Sequence, residues 1–162
     1  MDQTHIHLLI THLPIFGSIL GAVVLAYGLW MKSTHTMVAA YVVLIISSIG
    51  AGISYLTGEA AEETVENIQG IGKEMVDQHE DFALFALIAL MLLGLISLAG
   101  LFLNRQKSSL TTTVAQVACI ISLIAFGLVA RTGYLGGQIR HTEISSNTAS
   151  QAPGVDGEHE EE

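Results

Sequence analysis

The sequence predicts an all-α integral membrane protein, folded as an up-down-up-down bundle of four helices. Half of its residues are hydrophobic and only 13% are charged, a composition that suits a small membrane protein better than a soluble one. A helix needs about 20 apolar residues to cross a bilayer, and four stretches of the chain meet that requirement. They cover approximately Leu8–Met31, Met37–Leu56, Phe82–Leu103 and Thr113–Gly136.

The first stretch is predicted to stay in the mature protein as a membrane span. The residues before it contain no lysine or arginine, and no small-residue cleavage site follows soon, so a cleaved signal peptide is not indicated. The short loop after this stretch holds Lys32, and the short loop after the third holds Arg105 and Lys107, with no acid in either. Basic short loops face the cytoplasm, so both termini are expected on the periplasmic side of a bacterial inner membrane.

The connection over residues 57–81 is predicted to extend the second and third helices beyond the membrane. Its apolar residues and one histidine recur three or four positions apart, with a break at Gly70-Ile71-Gly72 that indicates a turn. These positions are Ala61, Val65, Ile68, Met75 and His79. The transmembrane domain is expected to cover residues 1–142, and residues 143–162 are predicted to be a disordered acidic tail.

The charge and the single cysteine exclude several classes of function. A net charge of −9 makes nucleic acid an unsuitable partner, because phosphate binding needs a basic surface. Cys119 is alone, so neither an intramolecular disulfide nor covalent haem attachment through C-x-x-C-H can form. No nucleophile–base pair or H-E-x-x-H motif is present, so an electron-transfer subunit is favoured over a stand-alone enzyme.

Histidines concentrate on the predicted periplasmic side, and they are the main candidates for a cofactor site. His12 lies about one turn inside the first span and His79 begins the third, which would be diagonal to it in the bundle. The two are therefore predicted to ligate the iron of a haem b near the periplasmic face. His7 and His141 are candidates for a second haem or a metal ion closer to the surface.

Small residues and one arginine complete the candidate site. Gly17 belongs to one G-x-x-x-G motif and Gly137 to another, a motif that packs membrane helices closely and that also leaves room for a haem edge. Arg131 is the one charged residue well inside a span. It is expected either to reach the interface or to pair with a haem propionate or with Glu59.

Two of these segments resemble a known family of bacterial membrane proteins. His7-Leu-Leu-Ile-Thr-His12-Leu-Pro14 is similar to an H-P-x-x-x-H-F-P opening, with Leu8 and Leu13 as departures. Gly133-Tyr-Leu-Gly136-Gly137-Gln-Ile-Arg-His141 is similar to a closing G-W-x-G-G-x-x-x-x-H segment. Both occur in the family catalogued as domain of unknown function 2231, and the resemblance covers about residues 5–142. It implies a four-helix membrane domain with His7, His12, His79 and His141 as candidate haem ligands.

The favoured hypothesis is a b-type cytochrome-like subunit that passes electrons between quinol, or a membrane partner, and a periplasmic carrier such as a c-type cytochrome. It would work inside a larger respiratory or photosynthetic complex. One alternative is a metal-binding membrane protein that combines the same histidines with Glu59, Glu62 or Glu80. Another is a structural subunit without a cofactor.

Overall fold

The computed structural model describes residues 3–66 and 73–140, with side chains described for 6–58 and 76–138. Over these residues all the regular secondary structure is helical and no strand is present, which confirms the predicted all-α class. The helices are α1 (Gln3–Ile10), α2 (His12–Trp30), α3 (Thr34–Glu66), α4 (Lys73–Arg105) and α5 (Thr111–Arg140). The predicted tail, His141 and the turn at Gly70-Ile71-Gly72 lie outside the described residues.

The described helices include four segments that are long and apolar enough to cross a membrane, which identifies a multi-pass membrane protein. The segments are Ile6–Trp30, Thr34–Gly58, Val76–Arg105 and Thr111–Gln138. They confirm the four predicted spans. The backbone of α3 continues to Glu66 and that of α4 begins at Lys73, so both helices extend beyond their apolar stretches as the spacing of residues 57–81 predicts.

The first span is made of two helices, α1 and α2, with an interruption at Thr11. Pro14 has no backbone N–H, so it cannot donate to the carbonyl of Ile10 one turn earlier. The chain nevertheless keeps helical dihedral angles at Thr11, whose N–H donates to the carbonyl of His7 at 3.0 Å. The interruption therefore leaves α1 and α2 as one membrane span and separates His7 from His12.

The α2–α3 contact shows why small residues recur along the first span. A side chain at Gly17 would meet Ser47, and one at Gly21 would meet the side chain of Leu44. Later residues of α2 thus face earlier residues of α3, so the two helices run antiparallel. Glycine is needed at these positions because the backbone of α2 lies directly against α3.

The remaining contacts close the helices into a four-membered ring. Helix α3 packs on α4, α4 packs on α5, and α5 returns to α2. The α5–α2 contact includes a hydrogen bond in which Ser122 Oγ donates to the carbonyl of Ser18 at 2.7 Å. The span formed by α1 and α2 is therefore diagonal to α4.

The interior combines large apolar side chains with small polar ones. Its largest fully buried apolar side chains are Leu25, Tyr41, Leu44, Leu90 and Leu93, and its buried serines are Ser18, Ser47, Ser48, Ser97 and Ser122. Many large apolar side chains, such as Phe16 and Leu95, point outward instead. An apolar exterior around a close-packed, serine-containing interior is the arrangement that lipid favours.

The two ends of the bundle differ in chemistry. We call the end that holds His7, Gly58, His79 and Gly136 the histidine end. We call the opposite end, which holds the α2–α3 and α4–α5 loops with Lys32 and Lys107, the lysine end.

Candidate functional site

His7 is held by α3 at the histidine end. Its Nδ1 lies 2.9 Å from the carbonyl oxygen of Ser54 and 3.3 Å from the hydroxyl of Thr57. The ring lies against Gly58, where an added Cβ would be 3.2 Å from Cε1. Because a carbonyl oxygen can only accept, Nδ1 carries the hydrogen, and in the neutral ring Nε2 keeps its lone pair.

His79 is held in the same manner by α5. Its Nδ1 lies 3.1 Å from the carbonyl oxygen of Thr132, so Nδ1–H donates and Nε2 is again the basic nitrogen. The ring is half-buried and lies against Gly136, where an added Cβ would be 3.0 Å from Cε1. Each imidazole is therefore oriented by a helix carbonyl, and it packs closely against a neighbouring helix because a glycine there has no side chain.

The structure places His7 and His79 at the same end of the bundle. Helix α1, which carries His7, belongs to the span that is diagonal to α4, which carries His79. The diagonal pair at the histidine end thus consists of His79 and His7.

His12 lies elsewhere. The side chain of His12 is exposed, and its Nδ1 donates to the carbonyl of Leu8, in the same span, at 2.9 Å. Its ring stacks on that of Phe16, with the ring centroids 6.3 Å apart. It lines an apolar groove of about 500 Å³ on the outside of the bundle, between the first span and α3. The groove is lined by Leu9, His12, Leu13, Phe16, Gly17, Leu20, Val43 and Ile46.

The predicted facing of His12 and His79 across the core is therefore not the arrangement in the structure. Sequence position places both histidines near one end, but the buried face of α2 is the one that contains Pro14, Ser18 and Ala22. His12 projects from the other face, together with Phe16. The ligand role assigned to His12 from the sequence stays a prediction.

The two glycines named from the sequence have different surroundings. Gly17 is buried against Ser47 of α3, and it also lines the groove beside His12. Gly137 is exposed and nothing lies within 4 Å of a Cβ added there. The glycine of α5 that contacts a histidine is Gly136. Its position opposite His79 follows from the α4–α5 register, which the sequence motif alone does not specify.

Arg131 is exposed at the histidine end and is held by aromatic rings. Its guanidinium carbon is 5.6 Å from the ring centroid of Phe82 and 5.5 Å from that of Tyr134. These distances are those of cation–π contacts, which fix the position of the charge while leaving it accessible. The side chain of Glu59, the acid considered as its partner, is outside the described residues.

Among the described residues, no group of three or more histidine, cysteine or acidic side chains is arranged to hold a metal ion. The imidazoles of His7 and His79 are the ones whose Nδ1 atoms are hydrogen-bonded to carbonyls of a helix in a neighbouring span. His141, named as a further ligand, lies outside the described residues.

No family model, no curated protein and no solved structure matches this chain. The class that the fold defines is that of a multi-pass, four-helix membrane protein.

Proposed function

We propose that this protein is a b-type cytochrome-like subunit of a bacterial inner membrane, with a haem b held at the histidine end by His7 and His79. One observation carries the proposal. These two imidazoles come from diagonal spans, and the Nδ1–H of each donates a hydrogen bond to a helix carbonyl. The Nε2 atom of each neutral ring is therefore the nitrogen that is free to bind a metal.

The surrounding residues fit such a group. The carbonyls of Ser54 and Thr132 fix the tautomer and the orientation of the rings, as the outer partners of metal-bound histidines usually do. Gly58 and Gly136 admit the rings against the helix backbones. Arg131 offers an accessible cation at the same end, where it would neutralise a propionate.

When bound, the haem would supply one-electron transfer. Two imidazole ligands give low-spin iron without an open position, which favours electron transfer over oxygen chemistry. The chain's own residues bind and orient the group and hold it at one end of the bundle. The protein would therefore exchange electrons between a quinol or a membrane partner and a carrier at one membrane surface, within a larger respiratory or photosynthetic complex.

The charge distribution supports an orientation with the histidine end in the periplasm and the lysine end in the cytoplasm. The loops at the lysine end contain Lys32, Arg105 and Lys107 and no acid, as cytoplasmic loops commonly do. All fifteen acids lie in the termini or in the connection near the histidine end. An acidic periplasmic surface would attract a basic c-type cytochrome at a rate that falls with added salt.

The test is the visible spectrum of the detergent-purified full chain, made with adequate haem and recorded before and after reduction with dithionite. We expect a low-spin b-type spectrum that is lost in His7→Ala and in His79→Ala. His35→Ala is the matched control, because His35 is exposed at the lysine end and its loss should leave the spectrum intact.

His12→Ala separates the two possible pairings. If His7 and His79 hold the haem, this variant keeps the low-spin spectrum, whereas the pairing expected from the sequence requires its loss. A colourless protein that is helical by circular dichroism would contradict the haem proposal. A full spectrum in both His7→Ala and His79→Ala would contradict the ligand assignment.

A further inference from the structure

A cavity of about 550 Å³ lies at the lysine end, between the α2–α3 loop and the α4–α5 loop. Its lining combines two ammonium groups, several hydroxyls and one carboxamide, with no carboxylate among the lining residues. They are Leu29, Lys32, Thr34, Met37, Asn104, Lys107, Ser108, Thr111 and Thr112. None of them belongs to the histidine site.

The two lysines occupy equivalent and unusual backbone positions. Ser33 N–H donates to the carbonyl of Gly28, and Ser108 N–H donates to that of Leu103, so α2 and α4 end in the same six-residue motif. The residue in left-handed conformation is Lys32 in the first (φ 51°) and Lys107 in the second (φ 54°). Glycine is the usual residue there, because a side chain adds strain. The ends of α2 and α4 thus each place a lysine beside the same cavity, although the backbone of that lysine is strained.

The described residues place two ammonium groups and no carboxylate in the lining of this cavity. The sequence contains no Asp or Glu between residues 3 and 58 or between residues 82 and 142. The first turns of α3 and α5 contribute Thr34 and Thr111 to the lining, and helix N-termini favour anions. The ligand that fits these groups is an anion.

Asn104 is the buried polar residue among the lining residues. Its side chain is 8% exposed, and its Nδ2 donates to the carbonyl of Gly100 at 3.0 Å. Its Oδ1 is sealed from solvent, so a ligand in the cavity reaches the two ammonium groups and the hydroxyls but not this oxygen.

The cavity lies at the depth of lipid headgroups. Trp30, two residues before Lys32, is 81% exposed and packs edge-on against Tyr27. Exposed tryptophan and tyrosine at the end of a span mark the membrane–water interface. Basic pockets at this depth bind anionic headgroups.

We propose that this cavity binds the headgroup of an anionic phospholipid, whose phosphodiester accepts from the ammonium groups of Lys32 and Lys107. Phosphatidylglycerol is the lipid used to test this. The site is independent of the haem proposal, because it lies at the other end of the bundle.

The test is a lipid titration of the detergent-solubilised full chain, followed by native mass spectrometry. We expect the double variant Lys32→Gly/Lys107→Gly to bind phosphatidylglycerol about tenfold more weakly than the natural sequence, or weaker still. Glycine suits the left-handed position, so the loss would not come from misfolding. The single variant Lys107→Gly is compared with Arg105→Ala, its charge-matched control, because Arg105 is exposed at the same end and does not line the cavity.

Three outcomes would overturn the proposal. If Arg105→Ala weakens phosphatidylglycerol binding as much as Lys107→Gly does, the lipid is attracted to the basic surface in general and not to the cavity. Equal binding of zwitterionic phosphatidylethanolamine would remove the requirement for an anion. Competition by inorganic phosphate as strong as that of the lipid would assign the cavity to a free anion.

Discussion

The two anchored histidines show how a neighbouring helix selects the chemistry of a side chain. The Nδ1 atoms of His7 and His79 donate to the carbonyls of Ser54 in α3 and Thr132 in α5, although those carbonyls are 47 and 53 residues away in sequence. Both carbonyls lie inside their helices, and a carbonyl oxygen has two lone pairs, so it can accept from an imidazole as well as from a backbone N–H. The sequence predicts that these histidines are candidate ligands, but their tautomers depend on these tertiary contacts.

Gly136→Ala tests the contact with His79, and Gly137→Ala is its matched control. Alanine favours the helix over glycine by about 1 kcal/mol at either position. At Gly136 the new methyl group would press on the imidazole, whereas at Gly137 it meets nothing within 4 Å. We expect Gly137→Ala to raise the midpoint of thermal unfolding in detergent and Gly136→Ala to leave it unchanged or lower it. Equal stabilisation by both would contradict the placement of His79.

Buried serines give a second test at this scale. Ser122 Oγ donates to the carbonyl of Ser18 at 2.7 Å, whereas Ser97 Oγ is buried with no partner among the described residues. Ser122→Ala should therefore lower the free energy of unfolding by about 0.6 kcal/mol, the average for such bonds in membrane bundles. Ser97→Ala should be neutral or stabilising, because it removes an unpaired polar group. Reversible unfolding in mixed micelles measures both, and equal losses would be inconsistent with these assignments.

At the scale of the helices, length and hydropathy were sufficient to predict the four spans but not their facing. The helices are apolar on all sides, because lipid contacts one face and the core contacts the other. Hydrophobic periodicity therefore carries little information about orientation. The facing of α2 follows from its small residues, Gly17 and Gly21, which lie against α3. That same facing turns His12 outward, which the spacing of the histidines did not predict.

Gly17→Leu tests this packing, with Gly127→Leu as the control. A leucine at Gly17 would overlap Ser47, so it should destabilise the bundle by about 1–3 kcal/mol, the cost of overpacking a core. Nothing lies within 4 Å of a Cβ at Gly127, which is exposed. Leucine there should leave stability unchanged or raise it by up to about 1 kcal/mol, because leucine favours the helix over glycine. Similar losses in the two variants, measured by unfolding in detergent, would argue against the α2–α3 contact.

At the scale of the whole molecule, the two ends have opposite charge character, and this predicts the orientation in the membrane. Acids flank the histidine end and short basic loops form the lysine end. Short basic loops are retained in the cytoplasm, so the orientation can be predicted without any tertiary contact.

Cysteine labelling measures this orientation. In a Cys119→Ser background, Gln78→Cys places an exposed thiol near the histidine end and Ser109→Cys places one in the α4–α5 loop. A membrane-impermeant maleimide added to intact cells should label the first variant and should label the second only after the inner membrane is permeabilised. The reverse pattern would place the lysine end in the periplasm and would contradict the proposed orientation.

The sequence by itself determined the all-α class, the four spans, the helical extensions to Glu66 and from Lys73, and the separation of the histidines, except His35, from the basic loops. These properties depend on local composition and length, which are fully present in the chain. Only the tertiary structure decided that α3 holds His7 at the end where α5 holds His79, that Gly136 contacts His79, and that Lys32, Lys107 and Asn104 share one cavity. Such groupings depend on the facing and register of antiparallel helices, and uniformly apolar helices do not encode facing in their periodicity.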